Sequence, residues 1–364
     1  MKYHTSLNHA SGFAKHGTVI GTGFLAWDVV MLEGQGTPLA ESVGGTVGNV
    51  LSILAVLGAE SIPISRLSDD VVSRRIRQEL TSLGLCLDFV SVGNCVPQPV
   101  VYQINKCRHN SGHDFSFYCP VCGQRAPKYQ PIEPDAARSL SKSLPAADVF
   151  FFDRVSIGSL EIARACAERG GLVFFEPSEI GDVALFEEAL SCSHIIKYSD
   201  DRIREIVPLS VMRNAGVLEI RTLGKSGLMF RRHLNGRSSG CWKKVDAFKI
   251  SPVRDTSGAG DWCTAGVIYS LIEHGINFFS EATDEDWYDI LSKAQAFSAI
   301  NCLFLGARGA MHCLKRNDIL QAVKSLYDGN FQGVAVAKSP SSELWSNEVG
   351  TCGACSNNIA LHGH

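Results

Sequence analysis

Residues 253–271 read VRDTSGAGDWCTAGVIYSL. Three small residues, Gly258, Ala259 and Gly260, run straight into an apolar stretch, 262–271, that fits a helix. Small side chains let backbone N–H groups approach a ligand closely, and a helix N-terminus carries partial positive charge, so the turn makes an anion site. Asp261 stands at that helix start. A carboxylate beside an anion hole is costly unless it has a task. The task that fits is general base, taking a proton from a hydroxyl while the turn stabilises a phosphoryl group in transfer. Read alone, the stretch serves as well for a plain turn and a capped helix.

Working outward, short apolar segments alternate with helical patterns. Residues 18–21, 27–32, 62–67, 149–152, 172–175, 194–197 and 217–223 read as strands. Residues 49–58, 69–84, 159–169 and 183–190 read as helices. This alternation predicts a mainly parallel sheet with helices on both faces. The chain has 364 residues, 45% apolar and 20% charged, with a formal net charge of −3. Those values exclude a disordered, collagen-like or strongly basic protein, and they argue against nucleic acid as partner. No stretch reaches the roughly 18 apolar residues of a membrane helix, so the expectation is a cytoplasmic protein with reduced thiols.

Two tempting motifs fail on context. Residues 21–26, GTGFLA, match a dinucleotide fingerprint, which needs a helix next, whereas 27–32 read as strand. Gly224-Lys225-Ser226 copies the end of a Walker A loop, but position 219, where that loop needs Gly, is Glu. His194 reads as a structural histidine, Asp153 as part of a surface loop, and Arg74, Arg75 and Arg77 as the solvated face of their helix.

Six motifs in order carry a resemblance: residues 21–28 ending at Asp28, the 44–49 run GGTVGN followed by Leu57-Gly58, the pair Asp69-Asp70, the 222–227 run TLGKSG, the 255–261 run DTSGAGD, and Gly306-Ala307. The sequence resembles the PfkB/ribokinase family of carbohydrate and nucleoside kinases over roughly 18–330. The resemblance implies an α/β, ribokinase-like (Rossmann-like) fold with a small β lid, and ATP- and Mg2+-dependent phosphorylation of a sugar or nucleoside hydroxyl. Carried onto this chain, Asp261 is the base, and Gly258, Ala259 and Gly260 form the anion hole. Asp28, Gly45 and Asn49 hold the acceptor. Thr222, Gly224 and Gly227 line the nucleotide, with Asn301 beside the adenine. Lid contacts between two copies would make a homodimer. The chain departs from the family at its Asn-x-x-Glu motif, where Ser199 and Arg202 stand for Asn and Glu. Asp200 or Asp201 substitutes, or the chain is a catalytically weakened ligand sensor.

The expected layout is a tail over 1–17, a kinase domain over 18–335 with lid elements at about 28–45 and 95–135, and a tail over 336–364. The second lid segment is rich in proline and cysteine. The chain's 13 cysteines are too scattered for a disulfide framework. Cys119-Pro120-Val121-Cys122-Gly123 has zinc-knuckle spacing, and Cys352-Gly353-Ala354-Cys355 repeats it. These four form the preferred structural zinc set. Cys107 with His109 or His113 is the local alternative, and reduced or redox-active thiols the third. Cys166, Cys192, Cys263 and Cys302 fit the core.

Overall fold

The computed structural model describes residues 17–34, 36–93, 97–106, 113–204, 216–234, 237–238, 241–275 and 277–333. Residues 1–16 and the 336–364 tail with Cys352 and Cys355 lie outside them, as do Cys107 and His109. In chain order the elements are β1 (Thr18–Thr22), β2 (Ala26–Leu32), β3 (Ala40–Gly44), α1 (Thr46–Val56), β4 (Glu60–Leu67), α2 (Val71–Ser82), β5 (Val90–Val92), β6 (Val100–Asn105), β7 (His113–Ser116) and α3 (Pro134–Ser141). There follow β8 (Val149–Phe152), α4 (Ile157–Glu168), β9 (Leu172–Phe175), α5 (Val183–Cys192), β10 (Ile195–Ser199), β11 (Gly216–Thr222), β12 (Leu228–Leu234), β13 (Arg237–Ser238) and β14 (Lys243–Val245). The helical C-terminal part holds α6 (Ala259–His274), α7 (Phe278–Glu281), α8 (Asp284–Asn301), α9 (Gly309–Cys313) and α10 (Arg316–Tyr327).

β8 shows why the main sheet is covered on both sides. Its four residues are all buried, as period-two alternation between two apolar layers requires. Phe150 and Phe152 join the layer of α3, α4 and α5, where Phe152 stacks on Phe175. Val149 and Phe151 join the layer of α1, α6, α8 and α10. Strand order is β13-β12-β11-β10-β9-β8-β1-β4-β5, with β14 beside β12. The run from β11 to β5 is parallel, and β12 turns antiparallel.

After β1 the chain adds strands on one side through β4, then returns to the other side at β8. That reversal opens a crevice at the carboxyl ends of β1 and β8, where open α/β sheets bind ligands. A second sheet, ordered β3-β2-β6-β7, is built from the two segments expected to form the lid. Arg75 of α2 ties to it by pairing with Glu41 and lying over the Trp27 ring, so it is not part of a wholly solvated face. Among the described residues no helix is long and apolar enough to cross a membrane.

Candidate active site

The Gly-Ala-Gly turn sits as the sequence reading expects, at the N-terminus of α6, with Gly258 as N-cap. Gly258 has φ 72°, and a Cβ there would overlap the Ala307 carbonyl. Only glycine meets both demands. The turn is strapped from below. The Trp262 indole donates to the Ala307 carbonyl at 3.0 Å. The Asn301 amide, fully buried, donates to the carbonyls of Ser257, Gly306 and Ala307, and its oxygen accepts from the Ala310 N–H. Asn301 therefore lies beneath the turn and spends its amide on backbone.

Asp255 fastens the front of the same loop. Its carboxylate accepts from the N–H groups of Ser257 and Gly306, and from Gln103 of β6 at 2.7 Å. His113 of β7 lies 3.3 Å from its other face. Burial opposes its charge, but His113 and the two backbone donors hold the carboxyl well below the usual range. The adjacent strands β6 and β7 of the small sheet thus close onto the glycine loop through one carboxylate.

Asp261 lies one turn into α6 and accepts from the Asn49 side chain at 2.7 Å. Burial pushes its carboxyl up to about 8. The negative charge of Glu176 adds to that shift, while Asn49 and Lys197 oppose it. Lys197, in the middle of β10 and almost fully buried, pairs with Glu176 just after β9. Burial disfavours its ammonium, but Glu176 outweighs burial and holds it charged. Thr264 of α6 donates to the second oxygen of Glu176. Asp261, the buried cation and the helix N-terminus are thereby one connected group. Lys197 and Glu176 escaped the sequence reading, which took the strand end at 197 as apolar core; a lysine closing a buried strand was the available signal.

The residues expected to hold the acceptor gather around the start of α1. Asn49 is on α1 with its Oδ1 buried and unpartnered among the described residues. Gly45 is the N-cap of α1. Asp28 lies on β2 against Gly44, where a Cβ would overlap its carboxyl. Burial pushes Asp28 up to about 7, against Arg308, which pairs with Glu79. Asp153 corrects the surface-loop expectation. It is 3% exposed, at the end of β8, accepts from the Phe24 N–H at 2.7 Å and pairs with Arg154. Gly23 makes room for it, since a Cβ there would overlap Asp153 Oδ1. A buried carboxylate after an apolar strand reads in sequence like an exposed one, so nothing local marked it.

Thr222 ends β11 and accepts through its carbonyl from the Asp200 N–H, and Gly224 and Gly227 bound the tight turn to β12. Gly224 is exposed, and β11 neighbours β10, whose Lys197 reaches Asp261. In the altered motif, Asp200 is taken up by Arg221, while Asp201 and Arg202 are exposed. Cys119 and Cys122 sit in a turn where the Gly123 N–H donates to the Cys119 carbonyl at 2.8 Å. Burial opposes the Cys119 thiolate, but N–H groups of Cys122 and Val121 and the Tyr102 hydroxyl lower it to about 7. Among the described residues no group of three or more His, Cys, Asp or Glu is placed to hold a metal.

The family model for the pfkB family of carbohydrate kinases matches residues 31–313. The chain belongs to that family and is a phosphotransferase acting on an alcohol group. No curated relative matches it by sequence. Solved structures share its fold. A Burkholderia thailandensis nucleoside kinase in complex with inosine matches with a TM-score of 0.61 at 17% identity, over 85% of this chain and 98% of that one. A Xylella fastidiosa fructokinase with bound ATP matches with a TM-score of 0.62 at 17% identity, over 87% and 99%. An Arabidopsis thaliana ribokinase complexed with ribose and ATP matches with a TM-score of 0.56 at 15% identity, over 85% and 99%.

Proposed function

We propose that the chain transfers the γ-phosphoryl group of ATP to a hydroxyl of a sugar or nucleoside, with Asp261 as general base. The observation that carries this is the junction of Asp261, hydrogen-bonded to Asn49 of the acceptor floor, with the glycine-capped N-terminus of α6. Asp28, Gly45 and Asn49 orient the acceptor through its hydroxyls. Asp261 takes the hydroxyl proton, the oxygen bonds to the γ-phosphorus, and the bond to the β–γ bridging oxygen breaks to leave ADP. N–H groups of the 258–260 turn face the charge on the group in transit. Thr222, Gly224 and Gly227 border the nucleotide. Mg2+ takes few protein ligands; the exposed Asp201 would help hold it, and the ion would supply charge neutralisation for the phosphates.

An ADP-release assay over sugars and nucleosides tests the reading. Asp261→Asn should keep the fold and lower turnover by about 10²–10⁴-fold; unchanged turnover would sink the assignment. Arg202 in place of the family's Glu favours a second reading, a ligand sensor, which tight binding without ADP release would support. The same proposal places a structural Zn2+ on Cys119, Cys122, Cys352 and Cys355, supported by the thiolate-favouring turn at Cys119. Metal analysis should find about one zinc per chain, absent after Cys119→Ser with Cys122→Ser. A lid-to-lid homodimer and a cytoplasmic location complete the reading.

A further inference from the structure

Beside the polar acceptor floor stands a group of aromatic rings that the phosphoryl chemistry does not use. Phe24 follows β1 at the crevice. Its carbonyl accepts from the Val47 N–H at the start of α1, and its ring lies 3.0 Å from where a Cβ on Gly45 would sit. Its own N–H is held by Asp153. The Phe24 ring therefore borders the residues assigned to the acceptor's hydroxyls.

Two further rings come from the proline- and cysteine-rich segment. Residues 117–126 form a hairpin, with the Ala126 N–H donating to the Phe117 carbonyl at 2.7 Å and a bridge between Tyr118 and Arg125. The Cys119–Cys122 turn is its tip. At its root, Phe117 meets Phe24 edge-on, with centroids 6.2 Å apart. Tyr129 meets Phe24 the same way, also at 6.2 Å. The Arg154 guanidinium lies 4.9 Å over the Phe24 ring. Phe117 nevertheless stays 42% exposed, an apolar face held open at the border of a polar floor.

We infer that the acceptor is a nucleoside, its ribose hydroxyls on the Asp28 and Asn49 floor and its flat heterocyclic base against the Phe24–Phe117 wall. This deepens, and rests on, the kinase reading. A free sugar presents hydroxyls in most directions and leaves the wall's apolar area uncovered. A nucleoside divides as the site does, with one hydroxyl-rich end and one planar π-face. Base–aromatic stacking tolerates any base, because every base has such a face. The wall therefore selects for the class and not for one member.

The test is initial-rate kinetics with MgATP on inosine, adenosine, uridine, ribose and fructose, for the wild type and Phe117→Ala. At least one nucleoside should exceed ribose in kcat/KM by about 100-fold. Phe117→Ala should lower the nucleoside-to-ribose ratio about tenfold, through KM; Phe117→Trp should restore it. Circular dichroism checks the fold of each variant. Preference for a free sugar, or an unchanged ratio in Phe117→Ala, would overturn the inference. Calorimetric binding of the panel to Asp261→Asn separates the two readings. Nucleoside binding without wild-type turnover would sustain the acceptor class and sink the kinase. Turnover of free sugars alone would do the reverse.

Discussion

The raised carboxyl of Asp261 makes a quantitative demand on the pH profile. A general base works only when ionised, and a group at about 8 is ionised to about 1% at pH 6, 9% at pH 7 and half at pH 8. Under subsaturating acceptor, kcat/KM should therefore rise about 50-fold from pH 6 to pH 8, with a limiting slope of one on a log scale. Glu176 is the neighbour to change. Its negative charge raises Asp261, so Glu176→Gln removes that contribution; it also takes from Lys197 the partner that holds it charged against burial. The Glu176 contribution to Asp261 is larger than the Lys197 one, so the Asp261 value falls and the acid limb moves to lower pH. A fall of one unit would raise the ionised fraction at pH 7 from about 9% to about 50%, a gain of about fivefold in kcat/KM. The assay is coupled ADP release in constant-ionic-strength buffers, since the charges involved respond to salt. Glutamine keeps the hydrogen bond from Thr264, so the local geometry has a partner left. A flat wild-type profile between pH 6 and 8 would refute the base assignment. A limb that moves to higher pH in Glu176→Gln would refute the electrostatic account of it.

Other expectations test the scaffold around the base. Gly258→Ala should cost about 1 kcal/mol for its left-handed backbone, and more for overlap with the Ala307 carbonyl, seen as a lower Tm by calorimetry. Asn301→Ala leaves three carbonyls and one N–H of the loop without their partner and should cost about 1–3 kcal/mol by urea denaturation. Gln103→Ala with His113→Ala releases the small sheet from Asp255; KM for the acceptor should rise roughly threefold to tenfold, and unchanged acceptor KM would contradict a lid role for those strands.

What the sequence disclosed follows burial on regular elements. β8 and β9 were legible to the residue because continuous apolar runs between charged or glycine boundaries have one reading. The start of α6 was legible because a glycine turn and its helix are contiguous. Asn49 was singled out by matching short motifs in order, and the structure brings it to Asp261 of another motif. What stayed hidden depends on partners distant in the chain. Asp153 became a site neighbour only when β1 was laid beside β8. Gln103 and His113 meet Asp255 across about 150 residues, and no local pattern marks them. Asn301 was expected beside the adenine, whereas its amide is committed to the loop it supports. Phe117 lay in a segment read for its cysteines, and its contact with Phe24 joins residues 93 positions apart.

The hydrogen bond between Asn49 and Asp261 spans 212 positions. At about 5–20 residues per second, a ribosome that has just added Asn49 needs roughly 10–40 s to add Asp261. During that interval the nascent chain carries Asn49 with no Asp261, no glycine turn and no α6 to cover the apolar face of α1. Asn49, a buried uncharged amide, has no partner for its side chain until then. On the proposed reading, a polypeptide cut anywhere before α6 lacks both Asp261 and the glycine turn and would transfer no phosphoryl group.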